Sequence, residues 1–283
     1  MLRDNMKNIT ITEHQKLYFS SKGGQKNIIS KQDAMYLQQL EEHQDRKIFS
    51  WGRNYVSPQQ WVGIVSTPYT NIEILPKIAE EMEKERVRKI FINMLLLAYD
   101  IPVRGNIESA FQKGSNGFLD ILVSIFLTLL GKELRKGIAL SYVKNRRNTS
   151  KIKGSINFSK QLNKNIFLYN KFVCDYSMLT VNNRLNKIIK FSLLSIIELP
   201  ISQKNKNSAK RMLSHFDDVE VVNIQKSDFD KVFFDRRTKG YKEIIEYCRL
   251  FYEQKRLQLK SGDIKISFLL FDMNKLWEKF IYI

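Results

Sequence analysis

The longest apolar run, "ILVSIFLTLLG" at residues 121–131, must be largely shielded from water. A membrane-spanning helix needs about 20 such residues, so the run predicts a core helix wrapped by the rest of the chain. The chain can supply that wrapping: 43% of its 283 residues are hydrophobic. Such content excludes a fully disordered chain. At about 100–200 residues per domain, the length predicts one large or two modest domains.

The pattern along the chain divides near residue 78. Before it, "NITITE", "QWVGIVSTP" and "NIEILPKI" read as short strands, with Ile72 and Ile74 on one face and Glu73 and Leu75 on the other. "DAMYLQQLEEHQDRKIFSW" adds a mixed helical segment. From residue 79, "AEEMEKERVRKIFINMLLLAYD" carries Met82, Ile90, Met94 and Leu97 at the helical period, with acids first and bases after. A second helix runs to Gly137. "IALSYVKNRRNTSKIKGSINFSKQL" reads as two strands joined by a loop from Lys144 to Lys153, followed by an apolar segment at residues 166–178. "TVNNRLNKIIKFSLLSIIEL" predicts a helix capped by Thr180 or Asn182 and ended by Pro200. Two further helices follow. "LFDMNKLWEKFIYI" is expected to be helical, with Leu269, Met273, Leu276, Trp277 and Phe280 on one stripe. The fold class expected is α+β: an N-terminal β-rich domain over residues 1–78, then a mainly helical body over 79–283 with an inserted β finger at about 138–178.

Lysine plus arginine number 47 against 29 aspartates and glutamates, a net charge of +18. A polyanion is the first partner this suggests; an acidic protein, or a merely lysine-rich surface, fits too. Cys174 and Cys248 sit in apolar stretches and read as buried thiols of a reducing compartment. His14, His43 and His215 are scattered, which argues against a structural zinc site. The N-terminus has no apolar signal region, so a cytoplasmic protein without membrane contact is expected.

Catalytic motifs are few. No G-x-x-x-x-G-K-[ST], G-x-S-x-G or H-E-x-x-H occurs. "SKGGQK" at 21–26 reads as a surface turn. Asp263 and Lys265 in "DIKISF" form an Asp-x-Lys pair on a strand-like segment, but no acid on a neighbouring strand joins them. Asp120 and Glu133 read as ordinary helix residues. The most pointed cluster is "KNRRNTSKIKG": Lys144, Arg146, Arg147, Lys151 and Lys153 without an acid among them. Such cations suit phosphate, or a solvated hairpin tip. "FFDRRTKGYK" adds Arg236, Arg237, Lys239 and Lys242, candidates for DNA or partner binding. Trp51 and Trp61 read either as core or as a stacking platform.

"IKGSINFSKQLNKN…FVCDYSMLTVNNRLNKIIKFSLLSI" resembles the McrC family of McrBC-type, modification-dependent restriction systems. The resemblance rests on Ile152-Lys153-Gly154-x-Ile156-x-Phe158, an aromatic strand with Asp175, and Asn186 at a helix start. "LLFDMNKLWEKFI" is similar to the segment that leads into the family's nuclease domain, and "WVGIVSTPYTNIEILPKI" to its N-terminal strands. The resemblance spans about residues 60–281. It implies a partner, a McrB-like AAA+ GTPase hexamer, whose pore a β finger enters to stimulate GTP hydrolysis. It also implies a C-terminal PD-(D/E)xK domain that cuts DNA, and here the sequence departs. Asp263 and Lys265 precede the "FDMNKLWEKF" element, so no nuclease residue is carried over, and the nuclease domain is expected to be absent from this chain.

The expectation is therefore a GTPase-activating subunit of an anti-phage restriction system. Arg146, Arg147 and Lys153 are its leading finger candidates, with Lys144 and Lys151 beside them. No catalytic residue, metal or cofactor is expected in the chain itself. GTP and Mg2+ would belong to the ring, Mg2+ also to the absent nuclease, and there is room for a separate nuclease chain. The rival readings are a stand-alone basic DNA-binding module, a truncated endonuclease subunit, and a nuclease using Asp263 and Lys265.

Overall fold

The computed structural model describes residues 7–19, 27–44, 46–78, 82–99, 101–102, 117–259 and 267–281. Strands β1 (Lys7–Thr12), β5 (Trp61–Ser66), β6 (Thr70–Leu75) and β10 (Ser267–Asp272) form one sheet in the order β1-β6-β5-β10. β1 runs parallel to β6, and the other pairs are antiparallel. A second sheet, β2-β4-β3, joins Leu17–Tyr18, Tyr55–Pro58 and Phe49–Trp51, and helix α1 (Lys31–Gln44) lies with it.

The first sheet is buried on both faces, and period-2 alternation sorts its side chains between two cores. Trp61, Val65, Ile72, Ile74, Phe268 and Leu270 join Ile9, Leu37 and Val56 in the N-terminal core. Val62, Ile64, Leu269 and Phe271 face the larger helical core. Gly63 makes the β5–β10 pairing possible, because a Cβ there would stand 1.9 Å from the Leu269 carbonyl oxygen at a φ of +140°.

The body consists of α2 (Lys84–Ala98), α3 (Phe118–Leu134), α5 (Arg184–Glu198), α6 (Gln203–Leu213), the short α7 (Lys226–Asp230), α8 (Lys242–Leu259) and α9 (Met273–Ile281). α3 carries the apolar run and is buried almost all round, as the sequence requires. Phe118 meets Phe91 of α2 edge-on at 5.1 Å, Phe91 meets Phe271 of β10, and Phe126 packs on Phe251 of α8. Glu73 ties sheet to helices. It is 5% exposed, takes a two-pronged ion pair from Arg88, and accepts from the Thr10 hydroxyl and the Phe118 amide at the start of α3. Breaking such a buried pair typically costs about 3–5 kcal/mol. Asp120 is no ordinary helix residue either. Its carboxylate accepts from the Ser202 amide and the Asn205 side chain, fixing the start of α6.

The fold class is α+β, as expected. Several local expectations need correction. Residues 269–272 belong to β10 and the helix begins at Met273, because pairing with β5 buries Leu269 and Phe271 better than a helix face could. The sequence-final segments thus return to the N-terminal sheet. The buried stripe of α2 runs through Val87, Phe91, Met94, Leu95 and Ala98; Met82 precedes the helix. Asn183, not Thr180 or Asn182, caps α5. Both cysteines are buried, and desolvation pushes the Cys248 thiol up to about 12. Among the described residues no helix is long and apolar enough to cross a membrane. Asp263, Lys265 and "SKGGQK" lie outside the described residues.

Candidate functional site, a cationic finger rooted in the helical body

Between α3 and α5 the chain forms a third sheet, β7-β9-β8, from Ser141–Thr149, Phe172–Thr180 and Ser155–Ile156. A seven-residue helix, α4 (Phe158–Lys164), packs against β9. At about 3.4 Å per residue, the nine residues of β7 extend about 30 Å. Three of the cluster's cations, Lys144, Arg146 and Arg147, lie on strand β7 rather than in a loop, while Lys151 and Lys153 lie in the connection to β8; the partner of β7 is β9, not the next strand in sequence. Polar residues can extend a strand here because nearly all its side chains stay in contact with water.

Register gathers the chemistry. Arg146 stands opposite Asp175 on β9, and Asp175 stands opposite Ser155 on β8. The Arg146 guanidinium donates to both Asp175 carboxylate oxygens, at 2.6 and 3.1 Å. Asn157 donates to the same carboxylate at 2.8 Å while its own side-chain oxygen caps α4. The hydrogen bonds from Arg146 and then Asn157 hold the Asp175 carboxyl below its ordinary range, and the same pairing raises Arg146. Gly154 lets the chain turn beside them. Its φ is +67°, and a Cβ would meet the Asp175 carbonyl oxygen at 2.4 Å. Lys144, Arg146, Lys153, Gly154, Asp175 and Tyr176 line a groove of about 1050 Å³. Arg147, one residue on from Arg146, points to the opposite face beside Cys174, and Lys151 lies in the exposed connecting loop. Arg146 is thus tied down, whereas Lys144, Arg147, Lys151 and Lys153 have no carboxylate partner among the described residues.

The finger has its own scaffold. Val173 and Cys174, its buried apolar residues, belong to neither core. Polar links replace a hydrophobic interior: Asn148 and Asn165 exchange two hydrogen bonds of 2.8 Å, and Gln161 bridges the Lys171 carbonyl and the Val173 amide. α4 buries no residue at all, and Phe158, Leu162, Phe167 and Tyr169 stand in solvent, the last two 87% exposed. The root is fixed by α5. Asn186, fully buried, donates to the carbonyls of Ala139 before β7 and Val181 after β9. Asn183 donates to Ala139 and Thr180 and receives the Asn186 amide. Asn183 and its clamp carry no sequence signal beyond an N-R-L-N helix start.

The second basic cluster lies elsewhere. Arg236, Arg237, Lys239 and Lys242 are all exposed and sit around a 3-10 turn, Lys239–Tyr241, at the end of α3. The tryptophans do not form a platform. Trp61 is core and donates to the Lys47 carbonyl, and Trp51 sits edge-on to Phe49 and donates to Glu41. Among the described residues no three His, Cys, Asp or Glu side chains stand together as a metal site.

The chain matches known proteins both by sequence and by structure. The family model for the McrBC 5-methylcytosine restriction system component matches residues 56–283. The Type IV methyl-directed restriction enzyme EcoKMcrBC of Escherichia coli (strain K12) is 24% identical over 173 residues, 59% of this chain and 49% of that protein. The chain therefore spans about half the length of that relative. A chain in the cryo-EM structure of the Thermococcus gammatolerans McrBC complex superposes with a TM-score of 0.69 at 21% identity, covering 98% of this chain and 86% of the other. A refined half-complex from the tetradecameric assembly of Thermococcus gammatolerans McrB AAA+ hexamers with bound McrC gives the same score and identity, with 69% of its chain covered. These likenesses establish the fold.

Proposed function

Since the chain belongs to the family of McrBC 5-methylcytosine restriction system components, we propose that this McrC-like protein enters the pore of a McrB-like AAA+ GTPase ring with its finger and stimulates GTP hydrolysis. The observation that carries this reading is the finger itself. It is a sheet outside both cores, rigidly rooted by Asn183 and Asn186, with unpaired lysines on its surface and apolar side chains exposed at α4. GTP hydrolysis develops negative charge on the transferred and leaving phosphates, and a prepositioned cation stabilises it directly or by steering the ring's own residues. Lys153 and Lys144 flank the groove and are the contacting cations, with Lys151 in the loop beside it, whereas Arg147 lies on the opposite face. Arg146 is a positioning residue, because Asp175 occupies its guanidinium. The coupled output is DNA cleavage. GTP and Mg2+ belong to the ring.

GTP turnover by the cognate ring GTPase, with and without this chain, is the test. Lys144→Ala/Lys153→Ala is expected to lower stimulation by about 10²-fold or more while the complex still forms, the scale of losing a preorganised charge contact in the transition state. Absence of both a complex and stimulation with the wild-type chain would sink the reading.

A further inference from the structure

The finger accounts for one basic cluster and leaves the other without a role. The loop after α7 is pinned by an Asx turn: the Asp235 carboxylate accepts from the amides of Arg237 and Thr238 and from the Thr238 hydroxyl. Those bonds, the Thr238 hydroxyl first, hold Asp235 below its ordinary range. The next residues dock on the end of α3. Tyr241 is buried and donates to the Gly137 carbonyl at 3.2 Å, and Gly240 lies so close to Glu133 that a Cβ would stand 2.5 Å from its carboxylate. This docking sets the turn Lys239–Tyr241, flanked in sequence by Arg236 and Lys242, on the end of α3, which carries Lys132, Arg135 and Lys136.

All six are exposed. The helix dipole explains the three on α3, because cations favour a helix C-terminus. It does not explain the loop. The acids nearby are already engaged. Glu133 is buried and paired with Lys136 at 2.7 Å, Asp235 serves its turn and lies 4.0 Å from Arg237, Glu246 and Asp230 pair with Arg249, and Glu243 also has a partner. Arg236, Lys239, Lys242, Lys132 and Arg135 have no carboxylate partner among the described residues.

We infer that this composite surface, the end of α3 joined to the 235–242 loop, binds the phosphate backbone of duplex DNA without reading its bases. Flexible lysines around one rigid docked turn suit an extended polyanion, and the chain's charge of +18 steers the encounter. The inference does not depend on the finger's role. Its test is duplex binding by the full chain, followed by anisotropy of an unmodified labelled duplex as salt rises from about 50 to 200 mM. The five unpaired cations, each meeting one phosphate, predict a loss of about 500-fold in affinity over that range. Arg236→Ala/Lys239→Ala/Lys242→Ala is expected to reduce the loss to about 12-fold, because two contacts, Lys132 and Arg135, remain. The thermal midpoint of the variant reports that it folds, and Arg236→Lys is expected to restore binding. Lys144→Ala/Lys153→Ala on the finger is expected to leave the salt dependence unchanged. Three results would overturn the proposal: no duplex binding at low salt, an unchanged slope in the loop variant, or loss of ring association rather than DNA binding, which would make the surface a protein-docking site.

Discussion

The body and the finger of this molecule are stabilised in opposite ways. The body buries α3 inside aromatic and aliphatic neighbours and admits charge only where it is paired, as at Glu73 and Arg88. The finger contributes nothing to either core, leaves the apolar side chains of α4 in water, and is held by an ion pair, asparagine links and strand pairing. Apolar surface left exposed on a small projection gains nothing for folding.

The contrast is sharpest where a body residue is removed. Glu73→Ala leaves Arg88 buried without its partner and frees the first amide of α3. Chemical denaturation is expected to show a loss of about 3–5 kcal/mol, with body and finger probes unfolding together. Asn186→Ala strikes the joint. It strips the Ala139 and Val181 carbonyls of their buried donor, and a loss of about 1–3 kcal/mol is expected. If the finger is a rigid lever, ring stimulation should fall further than the stability change accounts for; stimulation intact would dismiss the lever.

Within the finger the effects should stay local. Gly154→Ala adds a Cβ at φ +67° against the Asp175 carbonyl, costing about 1–2 kcal/mol from the backbone alone. Hydrogen exchange should quicken at β8 and the facing part of β9 while the body amides are unmoved. Phe167→Ser/Tyr169→Ser is expected to shift global stability by no more than about 0.5 kcal/mol, because both side chains are exposed. Ring binding is where that variant should show its effect, and unchanged binding would place the contact elsewhere on the finger.

The same division explains what was legible in the sequence. The apolar run of α3 and the alternation around Ile72 and Ile74 read correctly, because burial writes itself as periodicity. β10 did not, since "LLFDMNKLW" suits a helix stripe and only the distant β5 makes Leu269 and Phe271 a strand. Lys144–Thr149 reads as a loop from sequence for a related reason: an exposed polar strand has no hydrophobic period, and only its pairing with β9 reveals it. The cations of the finger could be counted from sequence. Which one is tied down could not, because Arg146 and Asp175 are brought together by register across 29 positions of chain.

The smallest expected effect is also the most specific to the finger. Arg146 and Asn157 depress the Asp175 carboxyl, so the folded chain releases that proton more readily than the unfolded one. The stabilisation this gives is complete above the ordinary aspartate value, near about 3.9, and is lost only as pH falls through the lower folded value. Between about pH 5 and 8 the pair should therefore be indifferent to pH. Because both side chains are open to solvent, Asp175→Asn should barely move the global midpoint at neutral pH, whereas NMR shifts of β7 and β8 amides should register the released guanidinium. Added salt separates the two regions once more, since it should weaken the exposed Arg146 pair and leave the buried Arg88 pair almost untouched. Equal salt sensitivity at both sites would show that the finger groove is shielded as the body is, and that its cations are poorly placed to meet a partner.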